Sequence, residues 1–568
     1  MQTSTISILL LLLTTILIIG CDSEQSPTSA VEYVDTVIDS GYSHSTEGKA
    51  DYAPAKKWLA ADQVYNKEAP IPPQCYTKTD QVNNPCYVCH QSYHQQSDRP
   101  NKLNDGFQQG SYAFSDIGVS NSWRNLFVDR RRAIEKISDD DILTYINQDN
   151  YSPFISKLKS SNWQGVIPEV KNLHLGSQAF DQHGLAKDGS GWVAFNYKPM
   201  PSTFWPTNGS TDDVMIRLPE VFRQVNGQYS RDVYYANLAL LEMAISDTQQ
   251  TSTITIDETK LATDLNGNGT LDKAVNQIKR RKHYLGDATK HQLNHMLYPQ
   301  GTAFLHTVRY VNVDEQGEIS ASPRMKEVRY MEKKTLLTPG QLKGRYYLER
   351  KEKHFENLPY YNEFGDDGLS NKHGWTLLAF IENEQGELRK QNNEEQFFCT
   401  GCHKSVGATI DDTFSFPRKV AGAQGWGYLN LKTISDVPNI GEQKGEILTY
   451  LERVGGGDEF RQNQEMITRW FNKDGSVNSA KVVAQPSIYQ LITPSRRRAL
   501  DLNKAYKTIV DEQSFIYGRD ATLVEASNVL SEVNEEQAPL TPDNIHQWDI
   551  RLDWSQGETV SIVKVEDK

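Results

Sequence analysis

Two pentapeptides of the form Cys-x-x-Cys-His constrain this chain more than anything else in it: Cys86-Tyr87-Val88-Cys89-His90 and Cys399-Thr400-Gly401-Cys402-His403. Two thiols one helical turn apart can add to the two vinyl groups of a haem, and the histidine that follows can present its imidazole to the iron. The same Cys spacing serves redox disulfides and half of a zinc site. Histidine is scarce, 13 among 568 residues, so two Cys pairs each followed by His are a poor accident, and a four-Cys zinc site leaves both histidines unexplained. The spacing therefore predicts two covalently bound haem c groups. Cys86 and Cys89 carry one, Cys399 and Cys402 the other, with His90 and His403 as proximal iron ligands.

Residues 1–20 carry no charged side chain, and the apolar run ends in Leu17-Ile18-Ile19-Gly20-Cys21. It is short and terminal for a spanning helix. The segment resembles a bacterial lipobox, although no Lys or Arg precedes the apolar core and Ile19 is bulky for its position. That resemblance implies a signal peptide over residues 1–20, lipid on Cys21 and a body outside the cytoplasm; an uncleaved N-terminal anchor is the alternative. Asp22 next to the lipid site implies retention at the inner membrane, facing the periplasm. Residues 21–50 begin with a polar stretch suited to a tether.

With Cys21 lipidated and four cysteines on haem, Cys75 is left as a buried thiol, a mixed-disulfide partner or a thiolate beside the first haem. The sixth iron positions are open. Met200, held between Pro199 and Pro201, resembles the distal-ligand loop of many c-type cytochromes and is the candidate for the first haem. Met466 follows His403 within ordinary domain spacing, but its surroundings also read as the apolar side of an amphipathic helix. His174, His183, His373 or an empty position are the other choices, whereas His94 projects from the same side as His90. A second metal signature runs from Asp264 to Asp272. Asp264, Asn266, Asn268, Thr270 and Asp272 stand at the ligand positions of an EF-hand-like calcium loop, with Gly269 at the sharp turn and Val275 where a bidentate Glu would be. Calcium and a plain Asn-Gly turn are both open there.

The chain's length fits two to four domains. A mean hydropathy of −0.61 excludes a multi-span membrane protein. A net charge of −13 argues against nucleic-acid binding, which needs a basic face. Helical patterns run over Asp129–Ile146 as a pair, over Asp232–Ile245, over Glu442–Val454 and from Arg496, which Pro494 and Ser495 introduce. Residues 185–235 read as loops and short strands. Phe304–Val313, Lys326–Met331 and Trp375–Glu382 read as strands, with a hairpin turn at Glu384–Glu387. The expectation is an α+β chain with mainly helical haem-binding segments near both ends and a β-rich region between them. Its divisions are the first haem segment at 51–245, the β-rich middle with the calcium-like loop at 246–390 and the second haem segment at 391–568. Arg130–Arg132 and Arg496–Arg498 sit in first helical turns, where cations are disfavoured; haem propionates or neighbouring acids would offset that.

Together, Pro85–Gln91, Phe398–His403, the lipobox and the length resemble a dihaem c-type cytochrome lipoprotein. The resemblance covers two short segments and the signal. It implies electron transfer with a redox partner protein or a small-molecule donor or acceptor, membrane attachment through lipid and no nucleic-acid partner. A dihaem peroxidase-like or oxygenase-like oxidoreductase and a haem-based redox or gas sensor are the rival classes.

Overall fold

A computed structural model describes residues 71–90, 114, 118–355, 361–404, 408–455, 463–534, 540–546 and 548–556. The signal segment, Cys21 and His94 lie outside the described residues.

An eight-stranded antiparallel sheet organises the chain. Its strands are β1 (Val193–Ala194), β2 (Thr211–Arg217), β3 (Ala303–Val313), β4 (Ile319–Lys333), β5 (Asn362–Glu363), β6 (Leu369–Ser370), β7 (Trp375–Glu382) and β8 (Leu388–Lys390). The order is β1-β2-β3-β4-β7-β6-β5, with β8 also on β7. The long hairpin β3–β4 lies at the centre because its β-branched and aromatic residues suit a half-buried pleat. Side chains alternate between the two faces. One face buries Met215, Leu305, Val328, Leu378 and Phe380 against Phe154 and Trp192. The opposite face carries a cross-strand row, Val214, His306, Arg329 and Ala379, in register over β2, β3, β4 and β7.

This arrangement corrects the expected fold. Helices are not gathered near the two ends; they are scattered around a sheet that begins at Val193. The first Cys-x-x-Cys-His segment is a short 3-10 turn, Pro85–Val88, rather than part of a helical domain. Strand β2 lies within residues 185–235, which read as loops and short strands without its bounds being marked. Its Thr-Asp-Asp opening breaks the apolar alternation, yet both carboxylates are buried and partnered. Asp212 meets His306 at 3.0 Å and Asp213 meets Arg309 at 2.9 Å.

Individual helices fall where the periodicity puts them. Arg131–Ile134 and α1 (Asp139–Ile146) form the early pair, with the Ser138 side chain accepting from the Asp141 amide. Helix α2 (Arg231–Ser246) is capped by Ser230 and buried on nearly every side, as a core helix should be. Helix α3 (Pro339–His354) follows the central hairpin. Beyond the second attachment turn come α4 (Glu446–Val454), α5 (Gln464–Trp470) and α6 (Arg496–Glu512). The two arginine triplets are used in packing these elements. Buried Arg130 binds Glu512 and Thr508 on α6, Arg131 binds Asp129, and Arg497 binds Asp139 and Asp501.

Candidate haem site

Each attachment motif adopts one tight helical turn, as the i, i+3 thiol spacing demands. The His90 amide donates to the Cys86 carbonyl at 2.8 Å, and the His403 amide to the Cys399 carbonyl at 2.9 Å. The Asn84 side chain caps the first turn by accepting from the Tyr87 amide at 3.1 Å. Ahead of the second turn, the short helix Asn393–Phe397 is closed by a capping box between Asn392 and Glu395. Thr400 Oγ1 then donates to the Phe397 carbonyl at 2.7 Å, fixing the turn on that helix.

The fold brings the two turns together. The Ala408 amide, just past the second motif, donates to the carbonyl of Cys89 at 3.1 Å. Cys402 lies close enough to Cys75 and Cys89 for their thiol pKa values to be coupled. Burial, reinforced by Cys89, pushes the Cys86 thiol up to about 12, and burial with Cys399 pushes Cys402 up to about 11. Cys399 is also raised by burial, and Arg329 and Arg519 pull it back only in part. Desolvation thus outweighs the neighbouring arginines and disfavours the thiolate form that a redox dithiol uses. Among the described residues no three His, Cys, Asp or Glu side chains are grouped so as to hold one ion.

His403 has the setting a proximal ligand needs. Its Nδ1 lies 2.9 Å from the backbone carbonyl of Asp412. A carbonyl can only accept, so Nδ1 carries the proton and the ring's lone pair is on Nε2. Burial, with the Arg329 and His306 charges adding to it, depresses the His403 pKa to about 4 and keeps the imidazole neutral. The donor set, with the Asp412 carbonyl fixing the imidazole, therefore fits a haem at Cys399, Cys402 and His403. At the first motif the matching turn offers Cys86, Cys89 and His90.

The second turn faces the polar row of the sheet. Arg329 acts electrostatically on both Cys399 and His403, and His306 on His403. His306 Nε2 pairs with the Asp212 carboxylate, while Phe204 packs edge-on to the imidazole at 5.2 Å. The buried Tyr197 hydroxyl lies against Asp212, whose carboxylate adds to burial in raising its pKa. Sequence reading missed His306, Arg329 and Asp212. Their only signal is their alternation in β2, β3 and β4, which by itself reads as a solvent face.

The remaining candidates are spread out. Met200 and Met466 are both buried in the large apolar core that also holds Tyr87, Val88 and Cys399. The Met200 loop is anchored by Arg418, which donates to the Pro199 carbonyl at 2.9 Å, and Met466 sits in α5 behind its Asn463 cap. His373 is buried next to Asp412. His174 lies near Asp149, and His183 lies beside Tyr235. In the calcium-like loop, the Asp264 carboxylate accepts from the amides of Gly267, Asn268 and Gly269, at 2.6, 3.3 and 2.8 Å. Asn268 donates to Asp272 at 2.6 Å, and the Thr270 amide donates to Asn268 Oδ1 at 2.8 Å. Asn266 takes the Asn268 amide at 2.9 Å. Fully buried Glu258, absent from the sequence reading, accepts from the amides of Leu265, Asn266 and Asp272 and fastens the loop to the core.

A lipoprotein family model matches residues 60–490 of the chain. A protein of Aquifex aeolicus (strain VF5), described as an uncharacterized lipoprotein, is 30% identical over 537 residues, 84% of this chain and 89% of that protein. Neither description mentions haem. No solved structure matches the chain significantly.

Proposed function

The chain belongs to a lipoprotein family, and on that premise we propose that it is an envelope protein, lipid-anchored through Cys21, that carries two haem c groups and transfers electrons between a donor and an acceptor. One observation carries this reading: two Cys-x-x-Cys-His turns, 313 residues apart in sequence, meet through the Ala408–Cys89 hydrogen bond. Two unrelated dithiol motifs have no reason to converge, whereas paired redox centres need proximity.

A bound haem supplies one-electron oxidation and reduction at its iron. The chain's part is to hold, orient and insulate. Cys86 and Cys89, and Cys399 and Cys402, provide the thioether bonds, and His90 and His403 the proximal nitrogens. Met200 is the distal candidate for the first centre and Met466 for the second. The apolar core around them keeps water away and favours electron transfer over ligand exchange. Arg329 and Arg519, beside Cys399, offer cations suited to propionates. Calcium in the loop at Asp264, Asn266, Asn268, Thr270 and Asp272 belongs to the same reading as a structural ion.

Production in a host with working haem maturation tests it. Pyridine haemochrome analysis and intact mass should give two haems per chain that survive denaturation, and a colourless, zinc-loaded product overturns it. Labelled palmitate should enter the wild type and not Cys21→Ala.

The Asp212–His306 pair, a part-buried imidazole on a buried carboxylate, favours a second reading, a peroxidase-like or oxygenase-like oxidoreductase, because it puts an acid–base group beside the second centre. A high-spin ferric spectrum with peroxide turnover that collapses in His306→Leu would select it.

A further inference from the structure

Behind the second attachment turn lies a chain reversal that its residues do not favour. Asp411 and Asp412 both take positive φ, 48° and 62°. They stand between Ile410 and Thr413, whose backbones bond each other in both directions at 3.1 Å. Two consecutive residues of this kind are ordinarily Asn-Gly or Asp-Gly. Asp tolerates this region better than most residues, but two in succession persist only where the surroundings hold them.

The surroundings do so through two buried carboxylates. Asp411 Oδ1 meets Lys333 Nζ at 2.5 Å, and its Oδ2 accepts from the Tyr298 amide at 3.0 Å. Asp412 Oδ2 accepts from Asn371 Nδ2 at 3.0 Å, and the same nitrogen donates to the His403 carbonyl at 2.9 Å. The turn thus delivers the Asp412 carbonyl to His403 Nδ1, and Asn371 ties turn and ligand into one unit. The His373 ring closes the far side, its Nδ1 3.5 Å from Asp412 Oδ2.

We propose that Asp411, Lys333 and Asn371 are positioning residues that tune His403 as an iron ligand, by fixing the Asp412 carbonyl on its Nδ1–H. The inference rests on the dihaem reading. A hydrogen bond from the far nitrogen of a ligating imidazole to a fixed acceptor makes the ligand more basic. A more basic ligand stabilises the oxidised iron and lowers its reduction potential. Loosening the turn should raise that potential without breaking the thioether bonds.

The test uses the full chain with both haems. Asn371→Leu removes the tie. The double variant Asp411→Leu with Lys333→Met removes the buried pair together, so that neither charge is left alone. Both should keep two haems by mass and pyridine haemochrome. The midpoint potential of one haem should rise while the other stays, the electron paramagnetic resonance g-values of the same haem should move, and Asn371→Gln should recover part of the shift. Folded variants with two haems and unchanged potentials overturn the proposal alone. A wild type without haem on Cys399 and Cys402 overturns the dihaem reading and the proposal with it. If the variants do not fold, the wild type decides: its reduced form should have a histidine Nδ1–H resonance protected from solvent exchange, and rapid exchange of every such proton overturns the assignment.

Discussion

Glu327 concentrates the electrostatics beside the second Cys-x-x-Cys-His turn in one side chain. It is buried on β4, accepting from Arg329 at 2.9 Å, Arg519 at 2.8 Å and Gln391 at 3.0 Å. Burial alone would raise its pKa, but the two guanidinium groups overcome this and bring it down to about 2. Between the ordinary glutamate range and pH 2 the unfolded chain binds a proton that the folded chain does not. Stability from this group is therefore complete above pH 5 and declines as pH falls towards 2, at a slope of up to about 1.4 kcal/mol per pH unit. Urea unfolding of Glu327→Gln at a series of acidic pH values should show a flatter acid limb than the wild type. It should also lose stability at neutral pH, by about 1–3 kcal/mol, because the part-buried guanidinium groups of Arg329 and Arg519 keep only an uncharged partner; an unchanged acid limb would refute the account. At this scale the chemistry was half legible. Cys86, Cys89, His90, Cys399, Cys402 and His403 declare themselves by spacing. Arg329, Asp212 and His306 do not, because a polar residue alternating in a strand looks solvent-facing until the fold covers that face.

Elements were read well where one periodicity acts and poorly where buried charges interrupt it. Helix α6 begins at Arg496 behind the Ser495 cap, whose side chain accepts from the Arg498 amide, and β7 occupies Trp375–Glu382, because capping and β-branched runs are local signals. The bounds of β2, inside a region read as loops and short strands, are not marked because Asp212 and Asp213 are satisfied by residues on β3, which no local pattern announces. The loop at 264–272 is a mixed case. Its alternating oxygens were visible, but Glu258, which holds three of its amides, was not. Glu258→Ala strands three buried or half-buried donors, so it should lower stability by about 2–5 kcal/mol and weaken any calcium effect with it. In the wild type, calcium at a hundred times its dissociation constant should add about 2.7 kcal/mol to unfolding stability, read as a rise in Tm that magnesium does not match. A Tm indifferent to calcium, with no bound ion by atomic emission, reduces the loop to an Asn-Gly turn.

At the scale of the molecule, the Cys-x-x-Cys-His motifs are accessories to the sheet rather than nuclei of separate helical bodies. The expectation of helical haem segments rested on the helical patterns read on either side of the β-rich middle. Here the residues that hold the second attachment turn come from elsewhere in the chain: Lys333 from the end of β4, Asn371 between β6 and β7, Tyr298 ahead of β3. The first turn in turn depends on the second, through Ala408 and Cys89. Two consequences separate this architecture from a pair of tethered domains. A fragment comprising residues 391–568 carries a complete Cys-x-x-Cys-His motif but lacks the sheet, the Lys333 partner of Asp411 and the Asn371 tie. Expressed with haem maturation, it should acquire haem at Cys399 and Cys402 yet show no cooperative unfolding and no fixed His403 environment, because thioether formation needs only the local motif whereas ligand geometry needs the strands. In the full chain, the nearness of the attachment segments should make the haems interact. Circular dichroism of the oxidised protein should show a split Soret signal that becomes a single band in Cys86→Ala/Cys89→Ala, where one haem is missing. A fragment that unfolds cooperatively with the full-length ligand spectrum, together with an unsplit Soret signal, would return the chain to two independent haem domains.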